Sequence, residues 1–394
     1  MATQPREPAR LSSEAQIYAS VPLPLGSSDS IRLLRILDNT FEDHNAPISC
    51  ELIMASMSDS YVALSYMWGD VEATGTIILN GEPFKVRRNL WDFLHQRRKD
   101  QRQSEIRKVP NEHHRPGAAA SCLWIDALCI EQASTLERNH QVAMMGQIYS
   151  KATSVVAWLG SENGDLRLLD EISHFASNPF LLGFKIGCPV GMTRKRWYHE
   201  CNLFFGHPYW KRAWILQECV LAYELQAQCG SWLFSAAILL QYALACRLPR
   251  MFFKAKSVLA FREQWHDTSA RKHLFPWSLE LSTGCSDPRD RIFSAVAIME
   301  PTLNIVPDYN KTAEDLFIEI ADQHIQWDIE RSIHLRRLAL RLRVAKAPYP
   351  PLVYEGMSPA VSLRLLEAKF FQKSIRERPG LSKREFLAEQ LKQA

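Results

Sequence analysis

The sequence predicts an α/β fold, with a mostly parallel sheet flanked by helices and a mainly helical C-terminal part. Two observations carry this. Short runs of strand formers, Tyr61–Tyr66, Cys122–Ile125 and Val155–Leu159, alternate with stretches of helical period such as Glu137–Ala152. Strands that alternate with helices favour a parallel sheet covered on both faces. The composition agrees: 46% hydrophobic and 23% charged residues among 394 describe a folded chain able to bury one large core or two modest ones.

Taken in order, residues 1–30 read as a loose leader and Ile31–Leu37 as an edge strand, so that 1–50 forms an N-terminal segment. Tyr61–Tyr66 is a strand that ends at Trp68-Gly69. Thr76–Leu79 and Pro83–Val86 flank Asn80-Gly81, a strong hairpin signal. Asn89 is placed to cap a helix whose Leu90, Phe93 and Leu94 share one face. Arg97–Ser121 is charged, lacks apolar period and reads as a surface insertion.

Cys122–Ile125 then suits a buried strand with Asp126 at its C-terminal end. Val142, Met145, Ile148, Tyr149 and Ala152 fall at helical spacing, and Val155–Leu159 is a strand closed by Gly160. Trp214–Ala222 reads as a helix. A main domain over 51–230 is followed by a helical extension over 231–330. That extension contains Ser235–Cys246, a buried helix over Asp287–Ile298, and a capping box formed by Thr312 and Asp315.

The net charge is +4, but residues 331–394 hold an excess of roughly nine positive charges, which marks a basic tail. So mild a net charge implies no nucleic-acid partner. Nine cysteines lie without any CxxC pair, and neither a secretory leader nor a membrane-spanning apolar run is visible. A reducing, cytoplasmic setting with free thiols follows, and no zinc-like spacing points to a metal.

Glu218 is the candidate catalytic residue. It sits among largely apolar neighbours, Trp214-Ile215-Leu216-Gln217 and Cys219-Val220-Leu221, where a carboxylate must be paired, protonated or functional. Its structural alternative is an ion pair with Arg212, Arg289 or Arg291. Asp126 either shapes the site or accepts N–H bonds from the turn at Ala127–Cys129. Trp68, Trp124, Trp158 and Trp214 serve as core or as stacking platforms. A Cys129–His140 nucleophile pair has only its residue types in its favour. Neither GxxxxGK[ST] nor GxGxxG occurs, which removes the main support for a P-loop or standard dinucleotide fold.

Several blocks resemble the fungal heterokaryon-incompatibility (HET) domain. They are Tyr61, Ala63, Leu64, Ser65, Tyr66, Trp68 and Gly69; Trp124 through Ile130 with Gln132; Glu137, Arg138, Gln141, Ile148, Tyr149 and Ala152; Trp158-Leu159-Gly160; and Arg212, Trp214, Gln217 and Glu218. Asp287-Pro288-Arg289-Asp290-Arg291 and Pro307-Asp308-Tyr309 look like segments that follow the domain in many members. Glu131 departs from the family's usual asparagine.

The resemblance implies an effector of fungal self/non-self recognition that triggers programmed cell death. Its partners would be further copies of itself or another incompatibility protein. The element order also looks like that of Toll/interleukin-receptor (TIR) domains, some of which cleave NAD with a glutamate in a WxxxE pattern, the spacing of Trp214 and Glu218. On that analogy NAD is a substrate rather than a bound cofactor. Glu218 would then stabilise an oxocarbenium-like state, with Ser65, Tyr66, Trp68, Asp126 and Trp214 shaping the pocket.

Overall fold

The computed structural model describes residues 13–37, 46–72, 74–107, 122–161, 167–178, 186–246, 253–267, 284–298, 305–313, 315–316 and 319. The basic tail expected over 331–394 lies outside the described residues.

Nine strands among these residues form one sheet: β1 (Ser30–Ile36), β2 (Ser49–Ser56), β3 (Val62–Tyr66), β4 (Thr74–Leu79), β5 (Glu82–Arg87), β6 (Cys122–Trp124), β7 (Ser154–Trp158), β8 (Leu225–Cys229) and β9 (Trp232–Ser235). They lie in the order β5-β4-β2-β1-β6-β3-β7-β8-β9. The run β6-β3-β7-β8 is parallel throughout. Antiparallel pairs flank it, with β1 on β6 and β9 on β8, so the sheet is mixed with a parallel centre.

Every residue of β3, β7 and β8 is buried, the signature of strands covered on both faces. Ile31–Leu37 lies between β2 and β6 rather than at an edge. Its near-continuous burial explains this, since an edge strand would expose more of Ile31, Leu33 and Leu34.

Side chains alternate across a strand, so the registers assign the two faces. Ala63 pairs with Trp124 and Ser65 with Ala157, while Tyr66 pairs with Trp158. Trp124 and Ser65 therefore share one face, and Trp158 and Tyr66 the other. On the first face Trp124 meets Tyr149 edge-on, at 5.4 Å between ring centroids, from helix α4 (Thr135–Lys151). On the second, Trp158 meets Phe93 of helix α2 (Arg88–Arg107) at 5.6 Å.

Helix α2 begins one residue before Asn89, which is thus not its cap. The Asn89 amide instead donates to Met67 O (2.6 Å) and accepts from the Trp158 indole (2.9 Å), joining the end of β3 to β7. The α4 start is capped by Ser134, whose hydroxyl accepts from Glu137 N.

The leader holds a short helix, α1 (Ser13–Ser20). Its end is fastened by Arg32, which donates to Val21 O (2.6 Å) and Cys129 O (3.2 Å) and pairs with Glu137 (2.6 Å). Beyond β9 the chain is helical, with α7 (Ala236–Ala245) and α8 (Phe253–His266) packed on each other. Asp287–Ile298 forms only a turn of helix at Asp290–Phe293 and a 3₁₀ turn at Val296–Ile298. The Thr312–Asp315 box is present: Asp315 N donates to Thr312 Oγ1 (3.0 Å) and Thr312 N to Asp315 Oδ2 (3.1 Å).

The hairpin at Asn80-Gly81 has φ of 50° and 86°, the left-handed pair of a two-residue turn. Asn80 Oδ1 also accepts from Leu52 N (2.7 Å). Gly81→Val, which places a β-branched residue at this φ, is expected to lower stability by about 1–2 kcal/mol in urea unfolding. An unchanged midpoint would show that the turn tolerates it.

Candidate functional site

Four expected site residues converge where the parallel strands end. Ser65 and Tyr66 close β3, Asp126 follows β6, and Glu218 lies on a π-helical turn, Leu216–Val220, before β8. The loop Trp214–Ala222 is therefore not a regular α-helix. A π turn needs stabilisation from its surroundings and is frequently found at functional sites.

The carboxylate is sealed and saturated. Glu218 is 2% exposed. Arg212 grips both oxygens, Nη1 to Oε2 at 2.9 Å and Nη2 to Oε1 at 3.2 Å, in a fork. The Ser65 hydroxyl, fully buried on β3, donates to Oε2 at 2.5 Å. The Tyr209 hydroxyl bonds the same Ser65 oxygen (2.6 Å) and lies 3.1 Å from the Cys219 sulfur.

Burial lowers the basicity of the Arg212 guanidinium, but Glu218, Tyr209 and Asp126 together outweigh it and the net direction is upward. Burial raises the Tyr209 hydroxyl well above its usual range and the Cys219 thiol to about 12, so both stay neutral at physiological pH. Of the three arginines expected as possible partners of Glu218, Arg212 is the one that pairs with it. Two ions taken out of water require each other, and Arg212 supplies the partner.

Asp126 is the acid of this cluster with partial exposure. Its Oδ2 accepts from the Trp68 indole (2.9 Å) and its Oδ1 from Ala127 N (2.8 Å), so it also caps the turn that follows β6. Burial, then the negative charge of Glu218, raises its pKa to about 6. Trp68 is further covered by the Arg87 guanidinium, 5.1 Å from the ring. Tyr66 is buried on the opposite face of β3 from Ser65; burial lifts its hydroxyl well above 10, and Asp126 adds to this.

Trp214 lies beside Asp290 and helps to keep its carboxyl ionised. Glu131 is held through its backbone, whose N–H donates to Glu137 Oε1 (2.6 Å). Cys129 is fully buried with its thiol raised to about 12 by burial, and His140 bonds Gln141 instead, so the geometry offers no nucleophile–base pair there.

Sequence reasoning missed Tyr209 and the role of Asp290. Tyr209 stands three residues before Arg212, in the same Tyr-Trp-Lys-Arg run, and a buried Tyr hydroxyl calls for a partner. Asp290 accepts from Tyr309 (2.7 Å), and burial raises it to about 6. Among the described residues no group of His, Cys, Asp and Glu is arranged to hold a metal.

Fold and site thus define an α/β domain whose parallel strands end on a buried, ion-paired acid cluster. Residues 61–218 match the family model described as "Heterokaryon incompatibility protein (HET)". The chain is 29% identical over 244 residues to "Heterokaryon incompatibility protein 6, OR allele" of Neurospora crassa, covering 54% of this chain and 35% of the relative. It therefore spans about a third of the length of that relative. No solved structure matches the chain significantly.

Arg212→Met leaves Glu218 buried without a cation and is expected to cost about 3–5 kcal/mol in denaturant unfolding. The double variant Arg212→Met/Glu218→Met should be closer to the parent than the single one. Single and double losses that simply add would show that the two side chains act independently.

A second expectation concerns pH. The folded pKa of Asp290 is raised from 3.8 to about 6, so its contribution is full below 3.8 and lost as pH rises through 6. His207 and His266, both lowered by burial, act in the opposite sense. Comparison with Asp290→Asn cancels them. The stability difference should shift toward the variant by on the order of 1–2 kcal/mol between pH 4.5 and 7.5. A pH-independent difference would mean that Asp290 does not titrate in that window.

Proposed function

We propose that this chain is an effector of fungal heterokaryon incompatibility, triggering cell death, and that its HET domain acts through association with further copies or another incompatibility protein. The support is the family match over 61–218 together with one geometric observation: Arg212, Ser65 and Tyr209 occupy the polar groups around Glu218, which favours a structural carboxylate over a reacting one. In this reading the cluster fixes the shape of the strand-end surface, and that shape is what a partner meets. Among the described residues no helix is long and apolar enough to cross a membrane, which is compatible with the expected cytoplasmic setting.

A specific observation favours a second reading, hydrolysis of NAD. Glu218 stands four residues after Trp214 on a π turn beside the parallel strand ends, where ligands of such sheets bind. Asp126, with a pKa near 6, adds an acid able to exchange protons at neutral pH. Arg212 must leave Glu218 before that carboxylate can face a ribose.

Glu218→Gln separates the two, because it keeps the shape and removes the charge. With association as the output, the folded variant should retain cell death on expression and the purified protein should consume no NAD at high concentration. NAD loss by the parent that disappears in the variant, with death lost in parallel, would replace association with hydrolysis.

A further inference from the structure

Several anchors of the turn that carries Glu218 come from one stretch of chain beyond the matched domain, beside those of α8, whose His266 bonds Val220 O (3.0 Å). Arg212 forms an isolated parallel bridge with Gly284: Gly284 N donates to Lys211 O (2.7 Å) and Ala213 N to Gly284 O (2.9 Å). Trp214 lies beside Asp290. The Gln217 amide donates to Phe293 O (2.5 Å). Leu216 and Val220 pack with Ala295, Ile298 and Phe261 of α8.

Those five apolar side chains form a cluster separate from the main core, which runs from α1 to α8 across the sheet. A satellite cluster opens at lower free energy than a contiguous core. Residues 305–313 then hold the stretch down. The Tyr309 hydroxyl donates to Asp290 (2.7 Å), Arg289 donates to Tyr309 O (2.8 Å), and Arg138 of α4 lies 4.5 Å from the Tyr309 ring. Asn139 completes the clamp, donating to Asp308 (2.8 Å) and accepting from Tyr309 N (3.0 Å).

We infer that residues 284–298, clamped by Tyr309, are an autoinhibitory strap: they hold the turn Ala213–Val220 closed around the Arg212–Glu218 pair, and their release opens it. Release uncovers the sides of Trp214, Leu216 and Val220 that face the strap, α8 keeping its contact with Leu216 and Val220, and frees the backbone that carries Arg212. Hydrolysis requires this step, because Arg212 must leave Glu218, and for association it adds an apolar surface to the strand-end shape. The inference rests on those outputs for its inhibitory part alone; the coupling of strap to turn stands without them.

Amide hydrogen exchange on the full chain tests the coupling. In the parent, amides of 213–220 and 284–298 should exchange as one unit, faster than those of β3 and β7. In Gly284→Val, whose Cβ would lie 2.7 Å from Lys211 O, both segments should exchange about tenfold faster while β3 and β7 keep their rates. Asp290→Ala, which removes the anchor to Tyr309 and the contact beside Trp214, should do the same and decides the matter if the valine variant does not fold. Strap amides as slow as those of β3, or strap amides that accelerate without those of 213–220, would overturn the strap.

Self-association and NAD loss are then measured on the folded variants. A rise in either supports inhibition. Coupled exchange with neither output raised would reduce the strap to a brace.

Discussion

The bidentate contact between Arg212 and Glu218 is the constraint on which this end of the molecule depends. An isolated buried carboxylate is untenable beside Leu216, Cys219 and Val220, all fully buried. Its cation comes from six residues upstream, and this fixes the path of the intervening chain. The path in turn places Trp214 against Asp290 and Gln217 against Phe293. Ser65 fastens the same carboxylate to the middle of the sheet, so one pair of charges registers the π turn against β3. A pair of this kind adds little net stability compared with apolar side chains of equal volume; it specifies one arrangement and penalises the others.

A second buried pair works in the same way at the start of α4. Arg32 of β1 holds Glu137, and Glu137 accepts from Glu131 N, so the loop after β6 is tied to α4 and to the leader helix. Asp126 lies at the start of that loop. Toward its other end α4 is fastened to β3 by hydrogen bonds, Tyr149 donating to Leu64 O (3.0 Å) and Tyr61 to Ile148 O (2.7 Å). The strand-end surface inherits its rigidity from α4.

Much of this was legible in the chain. The alternation of apolar runs and helical stretches located β3, β6, β7 and α4, and Asn80-Gly81 located the β4–β5 hairpin, because period and turn chemistry are local properties. Asn89 misled for a physical reason. An Asn at the start of an apolar helix is normally its cap, but here its amide is used across the sheet between Met67 and Trp158. Strands β8 and β9 escaped because Leu225–Cys229 has two glutamines in a fully buried strand, which no apolar period announces. The residue types of the site were readable and Arg212 stood among the candidate partners of Glu218. Which arginine wins is decided by tertiary geometry: Arg289 is taken by Asp287 (2.5 Å) and by the Tyr309 and Lys311 carbonyls.

The hydrogen bond from Ser65 to Glu218 spans 153 residues of chain. During synthesis β3 leaves the ribosome long before the π turn exists, so the Ser65 hydroxyl and the apolar edge of β3 wait through the making of β6, α4 and β7. Contacts of such separation form late and slowly. The acid cluster is thus among the last features to assemble, and a nascent chain stalled upstream of residue 218 has the walls of the site without the charge that closes it.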